Sequence, residues 1–180
     1  MKLVVNLFGG PGCGKSTVAA GLFYELKRNG LSAELVTEFA KDCIWEERHV
    51  LLEEDQLFIL AEQHRRIYRL RGKVDIIITD SPLVLSALYF NDLNVYSEPY
   101  FKAFCLDLFS KYPNLNILLK RNPVFTYDAN GRTQAKLEEA QAVDRTLAAM
   151  MEGWRIPCSE VVSDDNVVPA IMETIKEKLA

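Results

Sequence analysis

Apolar positions fall into two alternating patterns along this chain. Short runs such as Lys2-Leu3-Val4-Val5-Asn6-Leu7-Phe8 carry apolar side chains without a polar alternation, as buried parallel strands do. Four more runs of this kind follow: Ala33–Thr37, the β-branched Val74–Thr79, Leu115–Leu119 and Ser159–Val162. Between them the apolar residues recur at helical spacing. After the first strand, Val18, Leu22 and Leu26, with Ala19, Phe23 and Tyr24 alongside, define a helix over Ser16–Arg28 that Asn29-Gly30 stops. Further helices are predicted over Glu53–Arg71, Pro82–Phe90, Pro99–Lys111, Gln134–Glu152 and Val168–Leu179. Strands separated by helices require crossover connections, so the expected fold is α/β, with three layers and a five-stranded parallel sheet.

The turn between the first strand and the first helix reads Gly9-Gly10-Pro11-Gly12-Cys13-Gly14-Lys15-Ser16-Thr17. It matches G-x-x-x-x-G-K-[ST], in the strand–loop–helix context that gives this pattern its meaning. Glycines let successive backbone N–H groups turn inward as a nest for anionic oxygens, so Gly10, Gly12, Cys13, Gly14, Lys15, Ser16 and Thr17 are the expected phosphate cradle. Lys15 supplies a point charge for the β- and γ-phosphates, and the Ser16 hydroxyl is a ligand for Mg²⁺. The helix N-terminus adds positive potential.

Ligands in parallel sheets bind beyond the carboxyl ends of the strands, so the residues closing each strand matter most. Glu38 closes the second, either as a general base for an attacking hydroxyl or as an acid complementing a helix dipole. Asp80 closes the third, after Ile76-Ile77-Ile78-Thr79, as the acid of a Walker B motif that holds Mg²⁺ or its bound water. The general base can be either carboxylate; an N-cap role also fits Asp80. The fourth strand runs into a polar, turn-rich stretch, about 122–135, that reads as a mobile lid. Arg132, after Asn130-Gly131, is placed there to close over a transferring phosphoryl group, with Arg121 and Arg145 as weaker candidates and Asp144 as a residue orienting Arg145. On Glu53–Arg71, Gln63 and Arg66 are candidates for an acceptor site, as alternatives to a solvated face. Trp45, Phe39 and Tyr89 either stack on a planar substrate or pack in the core.

Composition narrows the class only modestly. The 180 residues suffice for a single domain over 1–180, and the net charge of −4 provides no global attraction to nucleic acid. Four cysteines, Cys13, Cys43, Cys105 and Cys158, form no C-x-x-C pair, which suits reduced thiols and a cytoplasmic location. Cys13 reads as a space-filling side chain, with the alternative that the helix N-terminus lowers its pKa and makes it oxidation-sensitive. No run is long enough to span a membrane, and nothing fixes the oligomeric state. The N-K-x-D motif of switch GTPases and the L-S-G-G-Q signature of transporter ATPases are both absent from the sequence. An AAA-type motor is expected to be longer.

GGPGCGKST, VTEFAKD, IIITDSP and the Asn-Gly-Arg lid together resemble the small P-loop kinases. Within these, the chain resembles phage-type AAA-domain ATP-binding proteins related to nicotinamide riboside kinases and phage hydroxymethyluracil DNA kinases. The resemblance implies ATP and Mg²⁺ as cofactors, the phosphate loop on the central strand, Glu38 in the place of a base and Arg132 in the place of a lid arginine. It implies transfer of the γ-phosphate to a hydroxyl of a nucleoside- or nucleotide-like acceptor, free or as 5-hydroxymethyluracil in phage DNA, in a host cytoplasm if phage-encoded. Asp80-Ser81-Pro82 departs from the acid-Arg-Ser triplet of deoxynucleoside kinases, which argues against that activity proper. The rival reading is a nucleotide-dependent ATPase or regulatory binding protein without a small-molecule acceptor.

Overall fold

A computed structural model describes residues 1–179. Five parallel strands form one sheet in the order β2-β3-β1-β4-β5, with β1 (Leu3–Phe8) central. Its neighbours are β3 (Ile76–Thr79) and β4 (Asn114–Lys120); β2 (Ala33–Val36) and β5 (Ser159–Val162) are the edges. The chain leaves β1 toward β2, returns to β3, then crosses β1 to reach β4. That reversal opens a crevice at the carboxyl end of β1, where the phosphate loop lies.

Burial on both faces explains the continuous apolar runs. Leu3, Val5 and Leu7 face α1 (Lys15–Arg28) and α8 (Val167–Leu179), in a core that also holds Leu22, Leu26, Ile171 and Ile175. Val4 and Phe8 face the opposite layer, packing with residues of α4 (Gln56–Tyr68), α6 (Glu98–Ser110) and α7 (Leu137–Gly153). The one polar residue within β1, Asn6, is buried and donates to the side-chain oxygens of Asn114 and Asn116 on β4, so its desolvation is compensated.

Four helical details depart from expectation. The region after Glu38 forms two short helices, α2 (Phe39–Trp45) and α3 (His49–Glu54). The expected helix over Glu53–Arg71 is broken at Asp55, whose carboxylate accepts the Phe58 N–H and starts α4 at Gln56. Helix α5 is a single turn, Leu85–Leu88, and α7 starts at Leu137, three residues later than expected, because Glu139 reaches back to the N–H groups of Ala135 and Lys136.

Candidate nucleotide and acceptor cleft

The phosphate loop takes its shape from positive φ angles at Gly12 (76°) and Gly14 (85°). Gly14 occupies the N-cap position of α1, and no side chain caps that end. The first N–H groups of α1, at Lys15, Ser16 and Thr17, have no partner among the described residues, as a phosphate site requires. Two expected cradle members are engaged elsewhere: the Gly10 N–H donates to Asp144 Oδ1 at 2.9 Å, and the Cys13 N–H to the Gly10 carbonyl at 3.3 Å. Lys15 folds back over the loop, its Nζ donating to the carbonyls of Gly9 (2.7 Å) and Gly10 (3.1 Å).

Asp80 is 3% exposed and stands directly behind the loop. Its Oδ2 accepts a hydrogen bond from Ser16 Oγ at 2.8 Å, while Oδ1 is buried with no partner among the described residues. A buried carboxylate oxygen left without a donor is costly unless a cation completes it. The Ser16–Asp80 pair therefore fits a divalent cation. Among the described residues no cluster of three or more acidic, His or Cys side chains exists to hold a metal by protein ligands alone.

A cleft of about 400 Å³ runs from Gly12, Lys15 and Thr17 past Glu38 to Ile44, Gln56, Leu85 and Tyr89. Glu38 is half-buried at its middle. Burial raises its carboxyl above the usual carboxylate range; Lys15 opposes that shift and Asp80 adds to it. Tyr89 is also on this wall, its phenol raised by burial and then by Glu38. Arg132 lines the same cleft. Its guanidinium donates to the carbonyls of Asp128 and Asn130 on its own turn and lies 5.7 Å from the Tyr127 ring centre. Gly131, with φ of 68°, rests on the Trp45 ring so closely that a Cβ would come within 2.7 Å of it.

The structure corrects several sequence expectations. Cys13 is buried, in line with the space-filling reading; burial first, and then the Asp144 carboxylate that its thiol contacts, push it up to about 11, which overturns the activated-thiol alternative. Asp144 does not orient Arg145, which is exposed; it pairs with Arg121, whose Nη2 lies 2.9 Å away. Gln63 is spent internally, accepting the Phe39 N–H and donating toward Thr37 and Thr79, and Arg66 pairs with Asp42. Neither Gln63 nor Arg66 lines the cleft; Gln56, two helical turns before Gln63, does. Phe39 packs in the core, whereas Trp45 is 64% exposed and Tyr89 faces the cleft.

Residues 4–166 match the AAA domain family, so the chain belongs to that family and is a P-loop nucleotide-binding protein. No curated protein matches it significantly. Family membership implies nucleotide binding, generally with Mg²⁺, and covers both hydrolysis and transfer. Among the described residues no helix is long and apolar enough to cross a membrane.

Proposed function

We propose that this protein is an ATP-dependent kinase that transfers the γ-phosphate to a hydroxyl of a nucleoside- or nucleotide-like acceptor. The observation that carries the reading is the continuity of the cleft: the phosphate loop occupies one end, a mixed apolar and polar chamber the other, with Glu38 between them. A simple ATPase needs room only for water beside the phosphates; a cleft that continues from the phosphate loop to Ile44, Gln56 and Leu85 offers lining for a second organic substrate.

Lys15 leaves the Gly9 and Gly10 carbonyls to meet the β- and γ-phosphates, whose charge it neutralises. Ser16 and Asp80 would hold Mg²⁺, which would supply charge neutralisation to the phosphates. Glu38 accepts the proton of the acceptor hydroxyl as its oxygen bonds to Pγ. The bond from Pγ to the β–γ bridging oxygen breaks, and its electron pair leaves with ADP. The raised carboxyl of Glu38 suits a base better than an exposed carboxylate would. Segment 122–135 acts as the lid, and Arg132 turns from its own carbonyls to the transferring phosphoryl group.

Acceptor-dependent ADP release tests this proposal. Nucleosides, nucleotides, nicotinamide riboside and an oligonucleotide containing 5-hydroxymethyluracil are compared with buffer, using wild type and Lys15→Ala. ADP release that needs one acceptor and disappears in a folded Lys15→Ala protein supports the kinase. ATP turnover indifferent to every acceptor favours the ATPase instead. A DNA acceptor further predicts activity falling steeply with salt.

A further inference from the structure

The chamber end of the cleft contains one polar group whose partner is missing. Gln56 is 3% exposed and lines the cleft with the apolar Ile44, Leu52, Ile59 and Leu85 and the polar Glu53, Ser86 and Asn91. Its backbone N–H donates to Asn94 Oδ1 at 2.9 Å, and its side-chain nitrogen donates to the Leu52 carbonyl at 2.6 Å. A carbonyl only accepts, so the amide must turn its nitrogen to Leu52. That leaves Oε1 without a partner among the described residues, in a side chain whose opening is the cleft. Asn94 is itself fixed, accepting from the Tyr96 hydroxyl and donating to the Glu53 and Asn91 carbonyls, so Gln56 is held rigidly. An acceptor-only oxygen, held in place in a cleft that also has aliphatic lining, is complementary to a ring system that presents an N–H.

We propose that Gln56 Oε1 accepts a hydrogen bond from a lactam or amide N–H of the phosphoryl acceptor, which makes the acceptor a nucleoside-like molecule with such a group on its base. This rests on the reading of the chamber as the acceptor site. The Leu52 bond excludes the flipped amide, so a base presenting only an acceptor opposite Oε1 takes that oxygen from water without giving it a donor. Discrimination on the order of ten- to a hundredfold is expected from one such hydrogen bond.

The test uses pairs differing only at the N–H: thymidine and 3-methylthymidine, inosine and 1-methylinosine, nicotinamide riboside and its N,N-dimethyl amide. Binding is measured by calorimetry with Mg²⁺ and a non-hydrolysable ATP analogue, and transfer by ADP release. The expected result is one pair in which methylation weakens binding at least tenfold in the wild type, with the preference lost in Gln56→Leu. Equal binding of both members of every pair, a preference that survives Gln56→Leu, or no binding by any member overturns the assignment. Acceptor-dependent ADP release without N–H preference removes Gln56 and leaves the kinase standing. Discriminating binding without transfer does the opposite.

Discussion

The Asp144 carboxylate accepts the Gly10 N–H at 2.9 Å, tying α7 to the outer turn of the phosphate loop. Its other oxygen pairs with Arg121, whose Nη2 also donates to the Pro11 carbonyl at 2.7 Å. Two positions across 134 residues thus share one loop conformation. Asp144→Ala is expected to raise the KM for ATP about tenfold, the scale of one charge-assisted hydrogen bond. Asp144→Asn, which keeps an oxygen for Gly10 but loses the pair with Arg121, falls between. Steady-state kinetics checks this, and equal KM values in all three proteins would refute it.

Glu38 links activity to stability with opposite signs. Its carboxyl is raised in the fold, so ionisation is disfavoured relative to the unfolded chain. The cost is absent below the unfolded value, grows as pH rises toward the folded value, and is constant above it. Glu38→Gln should therefore raise Tm at pH 7 and lose that advantage below about pH 4.5, near the ordinary carboxylate value. The same substitution should reduce kcat by roughly 10²–10⁴ and abolish an acid limb that lies above the ordinary carboxylate range. Thermal melts and pH–rate profiles decide both.

Arg132 is held by carbonyls of its own turn, not by the phosphate loop. Arg132→Ala should consequently lower kcat by on the order of 10²–10³ while changing ATP-analogue affinity less than threefold. Calorimetry beside turnover measures the split. A matching loss in affinity would place Arg132 in ground-state binding.

The thiols divide by burial. Cys13, Cys43 and Cys105 are buried and Cys158 is exposed. Burial raises Cys13 to about 11 and Cys105 to about 12. Burial and then Glu160 raise the Cys158 thiol too, so one equivalent of an aromatic disulfide reagent should react with native protein at pH 8 more slowly than with a free thiol, and none with Cys158→Ser. Rapid modification of Cys13 with loss of ATP binding would contradict this placement.

Two residues show where reading the sequence stops. Gln56 and Gln63 lie seven positions apart on one face of α4, and local pattern treats them alike. Strand β2 and the start of α2 pass beside Gln63 and consume its amide through Thr37 and Phe39; Gln56 meets the cleft instead. Likewise Asp144 sits beside Arg145 in sequence but is matched to Arg121 by the packing of α7 against β4's end.

What the sequence determined by itself was whatever depends on local backbone demand and periodicity. The apolar runs dictated a buried parallel sheet, and the glycine spacing, with Lys15 and Ser16, dictated a phosphate loop. The β-branched run ending in Asp80 put a carboxylate at a strand end. The tertiary structure alone decided which polar groups remain unpaired. Asp80 Oδ1 is buried and unpaired, Gln56 Oε1 has no donor among the described residues, and the Gly10 N–H is taken by Asp144, each because of neighbours brought in from distant segments.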